Sequence, residues 1–145
     1  MIASPPADPP ELSRFELEVR FAETDLMGIV HHATYLVYFE AARVDWLKKR
    51  GAYYQDWAAL GAHLPVAEVK LRYKKPARFD ERLVVETRLV EAKRFSLRFA
   101  QEVLRAGELL CAAEVLLACV GDDLALRRIP DELAAVLGRG ERPRD

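Results

Sequence analysis

The residues with chemistry in them are concentrated in Glu23-Thr24-Asp25-Leu26-Met27-Gly28-Ile29-Val30-His31-His32. A carboxylate such as Asp25 can attack a polarised carbonyl carbon, or take a proton from a water that does so. Its complement is a helix start, where unpaired backbone N–H groups and the positive dipole end favour an oxygen that is gaining negative charge. His32 stands where a helical pattern begins, so one short segment holds both halves of such a site. Gly28 lets the backbone pass close to a ligand. The competing use of Asp25 is an Asx-type turn or a helix cap behind a strand. Glu23 shares the face of Asp25 on an extended chain and is expected to be a solvated strand-end charge. His31 and His32 are adjacent and diverge, with no HxxxH or cysteine pair beside them, so no metal is expected. There is no Gly-x-Ser-x-Gly elbow for a serine nucleophile.

The flanking patterns define the elements that must position this segment. Phe15, Leu17, Val19 and Phe21 alternate with charged residues and predict a half-buried strand over 15–22. From Ala33 to Arg50, Tyr35, Phe39, Ala42 and Trp46 form one row, and Leu36, Arg43 and Leu47 a second. Val37, Tyr38 and Ala41 are apolar as well, which predicts a helix buried on most sides. It ends in Lys48-Lys49-Arg50-Gly51, cations at the negative dipole end followed by a glycine stop. A short helix is expected over 53–60. Four strands follow: Ala67 to Tyr73, Leu83 to Val90, Arg94 to Val103, and the nearly continuous apolar run Leu109 to Val120, which suits a central strand. Arg105-Ala106-Gly107-Glu108 makes the last two a hairpin, and a terminal helix follows Pro130. Strands without intervening helices pair antiparallel. The fold class expected is α+β: a curved antiparallel five-stranded sheet wrapped around one long buried helix, the hotdog fold.

The chain has 145 residues, enough for one domain with a core of its own. It is read as a Pro-rich leader over 1–12, one domain over 13–138 and a tail over 139–145. With 22 Lys+Arg against 23 Asp+Glu, a bulk positive grip on nucleic acid is not expected. No run approaches a membrane span, and the four prolines within Met1–Pro10 do not make a signal peptide, so a cytoplasmic location is expected. Cys111 and Cys119 lie in one apolar run and are read as buried, reduced thiols. His63 is expected on a surface loop. The basic run Lys70, Arg72, Lys74, Lys75 and Arg78 is expected to be a solvated face, from which some cations could meet phosphate.

The run TDLMGIVHHATYLVYFEAAR resembles the signature of hotdog-fold acyl-CoA thioesterases, in the branch of 4-hydroxybenzoyl-CoA thioesterase and YbgC-like proteins. YKKPARFDERLVVETRLVE and the RIPDEL end resemble the same branch, so the likeness runs from Phe15 to about Leu133. It implies hydrolysis of an acyl-CoA thioester without a cofactor other than the coenzyme A of the substrate. It implies Asp25 as the catalytic carboxylate, nucleophile or general base, and His32 as the helix-start residue whose backbone N–H polarises the carbonyl. Gly28, Ile29, His31 and Tyr35 are implied in substrate binding, although relatives often carry Tyr or Trp at the position of His31. It also implies a homo-oligomer, dimer or tetramer, with active sites at the protomer interface. Two other readings remain open: a hotdog protein that binds acyl-CoA without turning it over, and a hotdog hydratase using an Asp and His pair.

Overall fold

The computed structural model describes residues 12–138; the leader and tail expected at the two ends lie outside them, except for Leu12, which opens the first strand. In chain order the elements are β1 (Leu12–Glu18), α1 (Thr34–Lys49), α2 (Tyr54–Ala59), β2 (Val66–Tyr73), β3 (Arg82–Ala92), β4 (Ser96–Arg105), β5 (Glu108–Ala118) and α3 (Asp131–Leu137). The strands form one antiparallel sheet in the order β1-β3-β4-β5-β2. That is the expected α+β architecture, with one long helix on one face of a five-stranded sheet. β4 and β5 join through a two-residue turn at Ala106 and Gly107, both at positive φ.

Alternation sets what the sheet presents to the helix. Leu83, Val85, Leu97, Phe99, Val103 and Val115 are buried, and Trp46 of α1 meets Phe99 edge-on with ring centroids 5.3 Å apart. The row Tyr35, Phe39, Ala42 and Trp46 is buried as its spacing predicts. Each large side chain so removed from water contributes about 1.5–3 kcal/mol.

Four expectations need correction. The first strand ends at Glu18 rather than Ala22, because Arg20 starts a 3₁₀ turn over Phe21–Glu23 that leaves Phe21 exposed. The helix is not buried on most sides: Leu36, Val37 and Val44 are exposed on the flank away from the sheet. β5 is an interior strand between β4 and β2, as its apolar run suits, but only one of its faces is covered: Glu114 is exposed and Ala112 and Leu116 are half-buried on the other. β2 is an edge strand, and Val66, Val69 and Tyr73 stay exposed although Val69 and Tyr73 are paired with the buried Val115 and Cys111.

Apolar contact alone does not fix a helix along its own axis, and polar groups at the interface do. Gln101 of β4 is buried; its amide donates to the Phe39 carbonyl and to Thr87 Oγ1, both at 2.9 Å, and its Oε1 accepts from Arg43 at 3.0 Å. At the far end of the helix Arg50 is also buried. It donates to Ser13 Oγ of β1 at 2.7 Å and lies 3.7 Å over the Trp46 ring. Replacing Gln101 by leucine strands the Arg43 guanidinium and the Thr87 hydroxyl. Urea unfolding should show a loss of about 2–4 kcal/mol; an unchanged midpoint would remove this network from the account of helix placement.

Candidate active site

Beyond β1, Val19 still pairs through its backbone with Glu81 and Asp80, each at 2.9 Å. The chain then reverses in a tight loop. Thr24 and Val30 form an antiparallel bridge, Asp25 N–H donates to the Ile29 carbonyl at 2.8 Å, and Gly28 N–H donates to the Asp25 carbonyl at 2.9 Å. Gly28 has φ +77°, and a Cβ there would meet nothing within 4 Å. Glycine therefore serves the left-handed turn. Asp25 Oδ1 accepts the Met27 N–H at 2.8 Å, so the Asx-turn use of this residue is real. That use occupies one oxygen; Oδ2 has no hydrogen bond among the described residues.

The loop delivers the chain to the start of α1, where most polar backbone groups are already engaged. His31 Nδ1 accepts the Ala33 N–H at 3.2 Å, and the His31 carbonyl accepts the Thr34 N–H at 2.9 Å. The side chain of His31 thus does the work of a cap in a helix whose formal N-cap, Ala33, has no side chain to offer. The His32 N–H has no partner among the described residues, while the His32 carbonyl accepts the Tyr73 hydroxyl at 2.8 Å.

Asp25, Ile29, Val30, His32, Tyr35 and Tyr73 line one open cleft of 400 Å³, together with Lys74, Lys75 and Pro76. Four of the residues singled out in the sequence are therefore brought together: Asp25, His32, Ile29 and Tyr35. Gly28 and His31 are not among the lining residues; they shape the turn and the helix start behind it. Tyr35 is buried, accepts the Ala77 N–H at 3.2 Å and meets Tyr73 edge-on at 5.5 Å. Burial raises the pKa of its phenol, which leaves it protonated. Of the basic run, Lys70 and Arg72 pair with Glu114 and Ala112 on the sheet face away from α1, and only Lys74 and Lys75 reach the cleft. Lys75 is tied to Glu108 at 2.6 Å. His63 lies apart, bonded to Asp122 at 2.6 Å and Tyr54 at 3.2 Å. Burial pushes the Cys111 thiol up to about 11 and also raises Cys119, so neither is a ready thiolate.

Sequence reasoning missed Tyr73, Tyr38 and the role of Glu23. Tyr73 was hidden in a charged edge strand, where its alternation marks only a face. Glu23 is not a solvated charge: its side chain is 11% exposed, and it joins the 3₁₀ turn to the helix. Oε1 accepts the Arg20 N–H at 2.8 Å and the Tyr38 hydroxyl at 2.7 Å, Oε2 accepts Arg20 Nε at 2.9 Å, and its carbonyl accepts the His31 N–H at 2.9 Å. Glu23 therefore closes the neck of the Asp25 loop. Burial pushes its carboxyl up, but the Arg20 N–H, the Tyr38 hydroxyl and the Arg20 guanidinium outweigh burial and hold it below the usual carboxylate range. Burial and the facing carboxylate raise Tyr38 in turn. A folded-state pKa below the unfolded one gives stability that is present above the unfolded value and lost as pH falls through the folded value. Glu23→Gln should cost about 1–3 kcal/mol at neutral pH, with the gap to wild type closing in acid. Thermal unfolding from pH 7 down to 3 reads this, and a gap independent of pH would count against the clamp.

Comparison with known proteins shows the family and the fold. Residues 19–137 match the family model of the thioesterase-like superfamily. The chain is 39% identical over 110 residues to a putative acyl-CoA thioesterase, YneP, of Bacillus subtilis, covering 75% of this chain and 80% of that protein. It is 33% identical over 127 residues to the acyl-CoA thioester hydrolase YbgC of Escherichia coli, covering 86% and 94%. Among solved structures, a hypothetical protein of Thermus thermophilus superposes with a TM-score of 0.82 at 42% identity, over 86% of this chain and 96% of that one. A 4-hydroxybenzoyl-CoA thioesterase gives a TM-score of 0.80 at 20% identity, over 88% and 99%, a likeness of fold. The chain belongs to the thioesterase-like superfamily, as a hotdog-fold member of its YbgC-like branch.

Proposed function

We propose that this protein hydrolyses acyl-CoA thioesters to free coenzyme A and a carboxylic acid. One observation carries the reading: the Asp25 oxygen and the His32 N–H that have no partner among the described residues belong to residues lining the same cleft. The thioester carbonyl oxygen takes the His32 N–H, and the positive end of α1 favours the charge that develops on it. Either Asp25 Oδ2 attacks the carbonyl carbon, or it takes a proton from a water that attacks. In the first route the C–S bond breaks to release the CoA thiolate and leave a mixed anhydride, which water hydrolyses back to the carboxylate. In the second the hydroxide adds, and the thiolate leaves from the tetrahedral intermediate, recovering the proton. Lys74, which lines the cleft, is the cation proposed to meet a phosphate of the substrate, since Lys75 is already paired with Glu108.

Two copies of the chain are proposed to form the working unit. β2 leaves one hydrogen-bonding edge open with Val66, Val69 and Tyr73 exposed on it, and Val44 of the exposed α1 flank lines a cleft together with Val66. A second copy paired edge to edge covers both.

Thiol release should be followed with Ellman's reagent on short aliphatic, long aliphatic and benzoyl-CoA substrates. Asp25→Asn should lower kcat/KM by about 100-fold or more and still fold, because the amide oxygen keeps the Met27 turn. Full activity in the variant would sink the mechanism, and tight binding without turnover in wild type would favour a sensor. Single turnover in heavy-oxygen water bears on the routes: label in Asp25 supports the nucleophile, with water attacking the Asp25 carbonyl of the anhydride, and its complete absence counts against it. Sedimentation should find a dimer or a multiple of it in wild type, and Val69→Asp should shift it towards monomer; a wild-type monomer that is fully active would remove the edge pairing.

A further inference from the structure

The hydroxyl of Tyr73 bonds to a group that the helix leaves over. His32 precedes the N-cap of α1, Ala33, whose carbonyl is the first to accept from the helix, so the helix supplies no N–H to the His32 carbonyl. Leu36 N–H donates to the Ala33 carbonyl at 3.1 Å, and the Tyr73 hydroxyl donates to the His32 carbonyl at 2.8 Å. The N–H of that same peptide, on Ala33, is held by His31 Nδ1. The His32–Ala33 peptide is therefore fixed at both of its polar atoms. The peptide before it is fixed at its oxygen, by the Thr34 N–H. Of the four polar groups in these two planar units, only the His32 N–H is left for a substrate. Two rigid planes joined at one Cα share their freedom, so holding the His32 carbonyl also sets the direction of the His32 N–H.

Tyr73 is well placed to hold it. It closes β2 in register with the buried Cys111, and its ring lies edge-on to Tyr35. Burial, reinforced by Cys111, raises the pKa of its phenol, so the hydroxyl keeps its proton at neutral pH.

We propose that Tyr73 is a positioning residue for the thioester carbonyl: its hydroxyl, by holding the His32 carbonyl, aims the His32 N–H at the oxygen that becomes negatively charged. This role rests on the acyl-CoA hydrolase reading. It carries no proton transfer, and it makes the oxyanion geometry depend on the end of an edge strand as well as on the helix.

Tyr73→Phe removes the hydroxyl and keeps the ring. With whichever acyl-CoA of the panel wild type hydrolyses fastest, kcat should fall about 10-fold, with KM within about twofold and the pH profile unchanged in shape. In the Asp25→Asn background, bound benzoyl-CoA should show its carbonyl stretch at lower frequency than free in solution, and adding Tyr73→Phe should reverse part of that shift. The spectral comparison is made on folded, ligand-bound protein, so it decides the matter even if the variant is less stable. An unchanged kcat, a loss confined to KM, a displaced pH limb or an unaltered carbonyl shift would each overturn the role. An active wild type with an unimpaired Tyr73→Phe overturns this role alone, whereas a wild type inert to every acyl-CoA overturns the hydrolase reading and this role with it.

Discussion

One constraint governs the molecule: a single helix must be fixed lengthwise on a sheet that it touches mainly through apolar side chains. Hydrophobic burial is non-directional and tolerates sliding. The buried amide of Gln101 does not, because it grips the Phe39 carbonyl while also meeting Arg43 and Thr87. Arg50, bonded to Ser13 of β1, fixes the far end. With these polar ties in place, α1 has one register on the sheet, and its first residues come to one place.

The site is built on that fixed point. Three separate parts of the chain converge on the helix start, each through hydrogen bonds to backbone or helix side chains. The 3₁₀ turn supplies Glu23 to Tyr38, the hairpin loop supplies His31 to the Ala33 amide, and the end of β2 supplies Tyr73 to the His32 carbonyl. None of these bonds involves the unbonded oxygen of Asp25 or the free amide of His32. The supporting bonds are spent on geometry, and the two groups proposed to react are the ones left over.

Much of this was legible in the sequence. Period-two strands, the Tyr35-Phe39-Ala42-Trp46 row, the Ala106-Gly107 hairpin and the Asp25 to His32 segment all follow from spacing and residue type. The failures have physical causes. Alternation reports which face a residue takes and not its distance from an edge, so nothing in the β2 pattern marked it as an edge strand. A helix flank that is apolar yet uncovered in one chain reads the same as a buried one, which misplaced Leu36 and Val37. Glu23 passed for a surface charge because its partners, Arg20 in the adjoining turn and Tyr38 fifteen residues away, are joined to it only by the fold.

The divided carboxylate of Asp25 has a consequence for how this protein can change. One oxygen closes the turn that holds the other in the cleft, so the group proposed to react is part of its own scaffold. Lengthening the side chain by one methylene would displace the turn-closing oxygen as well as the one proposed to react, and inserting a residue before Gly28 would dissolve the turn. Mutational drift can therefore reshape the cleft walls at Ile29, Val30 or Pro76 one residue at a time. Asp25, Gly28 and the two-residue spacing between them are kept, or lost, as a unit, while the exposed side chains of Leu26 and Met27 are free to vary.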